Sequence, residues 1–138
     1  MLLNLVKNLR KILNSKPIEN FYNSNFKRKM LLCYITEPFK NKSYSHTNYI
    51  EANNIAKVFN DLGYVVDVID YDYQFNQKFI EKTSYDLIFG FGDSYNNAIL
   101  SKKNLKATKI IFATGAHNSF QNNAELNRIH YLYQMLYC

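Results

Sequence analysis

From Lys29 onward, short continuous apolar runs alternate with stretches whose apolar residues recur every three or four positions. Met30-Leu-Leu-Cys-Tyr-Ile-Thr36, Tyr64-Val-Val-Asp-Val-Ile-Asp-Tyr71, Tyr85-Asp-Leu-Ile-Phe-Gly-Phe91 and Thr108-Lys-Ile-Ile-Phe-Ala-Thr114 read as four strands. Runs of this kind suit a parallel sheet buried on both faces. Between the first two, Tyr49, Ile50, Ala52, Ile55, Ala56, Val58, Phe59 and Leu62 keep helical spacing, and Gly63 stands where a left-handed C-terminal cap belongs. Shorter helices are expected over Phe75 to Lys82 and Asn96 to Lys102, and a longer one over Asn123 to Tyr137. Strands and helices alternating at this spacing make βαβ units with right-handed crossovers.

The expected fold is therefore α/β: a Rossmann-like open parallel sheet of four to five strands flanked by helices. An N-terminal amphipathic helix precedes it, with Leu2, Leu5, Val6, Leu9, Ile12 and Leu13 on one face and Lys7, Arg10 and Lys11 off it. Pro17 ends that pattern, and Ile18 to Phe26 reads as a polar connection dotted with aromatics. This divides the chain into residues 1–28, a basic helix and connection, and 29–138, the Rossmann-like domain. The apolar residues of 1–13 never run together for the roughly 20 positions a bilayer span needs. Two readings stand for them: a helix packed on the domain, or an interfacial helix whose basic face meets anionic lipid.

Charge sharpens this division. The chain carries a formal +6 over 138 residues. Residues 1–29 hold seven basic side chains against the single acid Glu19, and the remainder sums to zero. A nucleic-acid binder spreads Lys and Arg over a face of its folded unit, so no nucleic-acid partner is expected. Cys33 and Cys138 are too far apart in sequence to suggest a disulfide framework or a ligand spacing, and no metal site is expected. The cysteine usage fits a reducing, cytoplasmic compartment, peripheral to the inner membrane face on the second reading of the leader.

In open α/β sheets ligands bind beyond the carboxyl ends of the strands, which selects four loops. Gly90-Phe-Gly92-Asp-Ser-Tyr95 has the start of a dinucleotide-type glycine loop, but Tyr95 stands where a third Gly belongs, so turn glycines are the simpler reading. Asp70 and Asp72 end the second strand. One residue apart on an extended chain, they point to opposite sides and read as solvated carboxylates. Ser45-His46-Thr47 leads into a helix that Thr47 or Asn48 is placed to cap, and His46 is available for a sugar or phosphate. Thr114, Gly115, His117, Asn118 and Ser119 fill the fourth loop, where a histidine suits either hydrogen bonding or acid/base work.

Lys29-Met-Leu-Leu-Cys-Tyr-Ile-Thr-Glu-Pro-Phe39, His46-Thr-Asn48, Leu62-Gly-Tyr-Val-Val-Asp-Val-Ile-Asp70, Tyr85-Asp-Leu-Ile-Phe-Gly90 and Ala113-Thr-Gly-Ala-His-Asn-Ser-Phe-Gln-Asn122 together resemble the N-terminal domain of bacterial GT-B glycosyltransferases, of the family 1/4 type that builds surface polysaccharides. The resemblance covers residues 29–138. It implies retaining transfer from a nucleotide-sugar donor to a glycan or lipid-linked sugar acceptor received by this domain. His117 is then the catalytic contact to the reacting sugar, and His46, Thr47, Thr114, Gly115, Asn118 and Ser119 the acceptor-binding residues. The donor belongs to a second, C-terminal domain, so no cofactor is expected on this chain and no turnover from it alone. A truncated product, or one half of a split enzyme with a separate donor-domain subunit, would fit. Glu37-Pro38-Phe39 stands where many relatives carry a glycine pair after the first strand. The competing expectation is a non-catalytic Rossmann-like module that binds a nucleotide or sugar.

Overall fold

The computed structural model describes residues 15–41, 46–72, 76–113 and 118–137. Four strands form one all-parallel sheet: β1 (Arg28–Tyr34), β2 (Tyr64–Asp70), β3 (Leu87–Gly90) and β4 (Thr108–Ile111), in the order β2-β1-β3-β4. The fold is Rossmann-like α/β. The helices are α1 (Glu37–Lys40), α2 (Thr47–Asp61), α3 (Gln77–Lys82), α4 (Gly92–Leu100) and α5 (Asn118–Tyr137), with a 3₁₀ turn at Lys102–Asn104. The expected helix over residues 1–13 lies outside the described residues.

β1 is central, and its two sets of alternating side chains build two cores. Met30, Leu32 and Tyr34 pack with Val66, Val68, Leu87 and the α2 residues Ala52 and Ala56. Leu31 and Cys33 face the other way, onto Ile69, Ile80, Ile88, Tyr95 and Ala98, under α3 and α4. Burial on both sides explains why the strand reads as one unbroken apolar run. Small alanines let α2 approach the sheet closely. Each fully buried large side chain contributes on the order of 1.5–3 kcal/mol.

Elements are displaced from expectation where polar residues turn inward. α4 begins at Gly92 rather than Asn96, because Ser94 and Tyr95 are buried and belong to its first turn. The third strand is shorter than the apolar run, ending at Gly90. Pro38 opens a single helical turn, α1, in what reads as loop. Gly63 has φ +85° and closes α2 as expected, its N–H donating to the Asn60 carbonyl at 2.9 Å.

The connection before β1 is part of the fold. Ile18 exchanges two backbone hydrogen bonds with Val68, at 2.8 and 2.9 Å, and Phe21 N–H donates to the Val66 carbonyl at 3.0 Å. This segment covers the outer edge of β2. The buried carboxylate of Asp67 pins it, accepting from Asn20 N–H at 2.7 Å and from the Tyr85 hydroxyl at 2.9 Å. A polar residue in the middle of a buried strand is thus satisfied on both oxygens.

Candidate functional site

With the order β2-β1-β3-β4, consecutive crossovers diverge between β1 and β3, the place where such sheets open a crevice. Aromatic side chains fill it here. Phe91 stacks on Tyr71 at 5.0 Å between ring centroids and meets Tyr34 edge-on at 5.4 Å. The two glycines serve this packing. At Gly90, with φ +141°, a Cβ would fall 2.0 Å from the Cys33 carbonyl oxygen, and at Gly92, with φ +79°, 2.7 Å from the Tyr71 carbonyl oxygen. Ser94 N–H, in the first turn of α4, donates to that Tyr71 carbonyl at 3.0 Å. Protein backbone occupies the space a phosphate would need, and the turn-glycine reading accounts for both positions.

A concave site lies instead beside β1 and β2, at their carboxyl ends. A hollow of about 500 Å³ is lined by Ser15, Ile35, Glu37, His46, Asn48, Tyr49, Asp70, Tyr71 and Asp72. Its acidic side comes from a turn. The chain bends at Tyr71 and Asp72, immediately after β2, and the Asp72 side chain comes within hydrogen-bonding reach of Asp70. The two carboxylates therefore converge, contrary to the expectation of opposed, solvated groups, because the extended geometry stops at Asp70.

Four hydrogen bonds hold Asp70, one of them from Ser94 Oγ–H to its carbonyl at 2.5 Å. Its Oδ2 accepts from Thr36 N–H at 3.4 Å and Thr36 Oγ1–H at 3.3 Å, and its carbonyl accepts from Asn76 Nδ2 at 3.0 Å. Asn76, itself buried, also donates to Ser94 Oγ at 2.8 Å. Burial, and after it the Asp72 carboxylate, push the Asp70 carboxyl up to about 6, against the opposing pull of the Thr36 N–H. The Asp70 carboxyl thus keeps its proton into the mildly acidic range. Lys40 lies near enough to feel Asp70, but its ammonium donates to the Lys16 carbonyl at 2.8 Å, and burial lowers its pKa. Among the described residues, no Lys or Arg lines the hollow.

The opposite wall is the entrance to α2. His46 occupies the N-cap position with extended backbone, and its carbonyl accepts from Tyr49 N–H at 3.1 Å. The cap is thus one residue earlier than Thr47 and two earlier than Asn48, the positions expected, and the His46 side chain makes no capping hydrogen bond. The His46 and Tyr49 rings lie 6.0 Å apart, and burial and Glu37 raise the Tyr49 hydroxyl pKa. Thr47 turns away, to a separate shallow hollow with Ile50, Glu51, Asn54 and Ile55. Of the expected site residues, the structure brings His46 into the hollow and leaves Thr47 outside it. Thr114, Gly115 and His117 lie outside the described residues, and Asn118 and Ser119 begin α5.

Glu37, Tyr49 and Tyr71 are lining residues that the sequence reading gives no role, and Asp70 and Asp72, which it picks out, are read there as solvated rather than paired. The only signal for them is Asp70-Tyr-Asp72 at a strand's carboxyl end, which acquires meaning once a turn is known to follow. Among the described residues, no group of three or more His, Cys, Asp or Glu side chains is placed to hold a metal ion, and no helix is long and apolar enough to cross a membrane. No protein-family model, curated protein or solved structure matches the chain.

Proposed function

We propose that this chain is the acceptor-side domain of a GT-B type glycosyltransferase, and that the hollow between β2 and α2 receives a hydroxyl-rich glycan or lipid-linked sugar. The observation that carries this reading is the chemistry of the hollow's wall: carboxylates, an amide, an imidazole and two tyrosine rings, with no cationic side chain among its described lining residues. Carboxylate oxygens accept from sugar hydroxyls, and tyrosine rings offer apolar faces to sugar C–H groups. A nucleotide's phosphates would meet Glu37, Asp70 and Asp72 and be repelled. The Asp70 carboxyl, poised near 6, is chemically suited to accept a proton from an acceptor hydroxyl.

On this reading the nucleotide-sugar donor sits on a second Rossmann-like domain outside these 138 residues, on the same chain or on a separate subunit. His117 contacts the reacting sugar from the loop after β4. Catalysis then depends on both domains, since stabilising the departing nucleoside diphosphate is the larger electrostatic task.

A second reading, a non-catalytic module that binds a sugar at the same hollow, is favoured by the aromatic closure of the β1/β3 crevice. Saturation-transfer NMR on the full chain tests the first step of both, using neutral mono- and disaccharides alongside UDP and UDP-glucose. Transfer to the saccharides, weakened in Tyr49→Ala, is the expected result. Transfer to UDP alone, or to nothing, would reject a glycan site. Turnover with a donor domain added, reduced in His117→Ala without loss of fold, separates the enzyme from the module.

A further inference from the structure

The amino-terminal end of the sheet carries a second hollow, of about 320 Å³, between β1, β2, α3 and the connection before β1. The Asp67 carboxylate, 5% exposed, lies on its wall. Each Asp67 oxygen accepts one hydrogen bond from a neutral donor, the Asn20 N–H or the Tyr85 hydroxyl, and has room to accept a second. Among the described residues, no Lys, Arg or His pairs with this carboxylate. A buried carboxylate held only by neutral groups is costly, and an ammonium is the partner that best offsets that cost.

Lys29 stands close by. In the register of β1 and β2 it is opposite Val65, while Asp67 is opposite Leu31. Strand alternation therefore sends Lys29, Val65 and Asp67 to the face that carries Leu31 and Ile69. Lys29 and Asp67 are diagonal neighbours lining one hollow, yet among the described residues the Lys29 ammonium makes no ion pair. Glu19 and Lys82, the other charged groups of the hollow, satisfy each other at 2.6 Å on its exposed rim. Phe26 and Phe79 add apolar surface to the wall.

We propose that this hollow binds a free α-amino acid with an apolar side chain. Its ammonium donates to Asp67, its carboxylate accepts from Lys29, and its side chain lies on Phe26 and Phe79. The unmatched carboxylate and the unmatched ammonium beside it select a zwitterion. An anion leaves Asp67 without a cation, a cation leaves Lys29 without an anion, and a neutral sugar answers neither. At about 320 Å³ the hollow is at the small end of ligand pockets, which suits a single amino acid rather than a peptide. It opens at the end of the strands opposite the Asp70 hollow, so the inference does not rest on the glycan reading.

Calorimetric titration and ¹⁵N–¹H NMR of the full chain with L-leucine and L-phenylalanine test it. N-acetyl-L-leucine, which lacks the ammonium, and L-leucinamide, which lacks the carboxylate, serve as the blocked forms. The expected result is saturable binding of at least one amino acid, with shifts at the amides of Asn20, Lys29 and Asp67, and binding of each blocked form at least about tenfold weaker. Lys29→Met should weaken the amino acid by a similar factor and leave leucinamide unchanged, a split that a merely structural lysine would not produce. Asp67→Asn should weaken both. Near-UV circular dichroism checks that each variant keeps its folded core, and Lys29→Met decides the matter if Asp67→Asn does not fold. No saturable binding of either amino acid overturns the proposal. Blocked forms that bind as well as the free amino acid, or shifts confined to the carboxyl end of the sheet, overturn it too.

Discussion

Replacing Asp70 by Asn isolates the carboxylate pair at the floor of the hollow. The amide matches the protonated carboxyl in shape, keeps an oxygen for the Thr36 N–H, and offers Asp72 a donor. The native chain holds the Asp70 proton up to about pH 6, whereas an unfolded aspartate releases it near 3.9. Between those values the native state binds more protons than the unfolded one, so stability falls as pH rises. The contribution is complete at or below about pH 4 and gone once pH has risen through about 6. A two-unit difference corresponds to about 2.8 kcal/mol. Asp70 is only partly buried, so solvent screening reduces this to roughly 1–1.5 kcal/mol. Urea denaturation of wild type and Asp70→Asn, followed at intervals from pH 3.5 to 8, measures the difference. The two should coincide near pH 4, and the variant should be more stable by roughly 1–1.5 kcal/mol at pH 7. Parallel curves over the whole range, or a wild type that gains on the variant with rising pH, would refute the raised Asp70 carboxyl and the burial and Asp72 contact that cause it.

Other parts of the structure give equally direct expectations. Gly90→Ala drives a methyl into the Cys33 carbonyl, a backbone atom that cannot move aside, and should cost about 4 kcal/mol or more in chemical denaturation. Tyr85→Phe strips the buried Asp67 carboxylate of one partner and should cost roughly 1–3 kcal/mol, with loosened hydrogen exchange at Asn20 as the local sign. Cys33 is fully buried and burial raises its thiol pKa, so in a Cys138→Ser background it should resist an aromatic disulfide reagent until urea unfolds the chain.

Much of this fold is legible in the residues because β1, β2 and β3 are buried on both faces, whereas all four residues of β4 are exposed. Met30 to Cys33 can be little else than a central strand, and the alanine-lined face of α2 with Gly63 behind it marks a crossover helix. What escapes the reading depends on polar groups that the tertiary structure turns inward. Ser94 and Tyr95 look like loop until the Tyr71 carbonyl takes the Ser94 N–H. Asp67 breaks an apolar run for no visible reason until Asn20 and Tyr85 are placed beside it. The site divides in the same way. His46 announces itself as a histidine before a helix, whereas Asp70 and Asp72 look opposed because alternation along a strand is the rule, and the rule stops one residue earlier than the apolar pattern does. Thr47, one position from His46, falls on another side of the helix entrance, a distinction that spacing alone does not make.

The central claim is that the hollow beside β2 and α2 takes a neutral, hydroxyl-rich ligand. Backbone ¹⁵N–¹H NMR of the full chain, titrated with a neutral disaccharide and separately with UDP, tests it most directly. The account predicts that the disaccharide moves the amides of Glu37, His46 to Tyr49 and Asp70 to Asp72 in a saturable way, and that UDP leaves them in place. Shifts from UDP at these amides, or saccharide shifts confined to other parts of the chain, would contradict it.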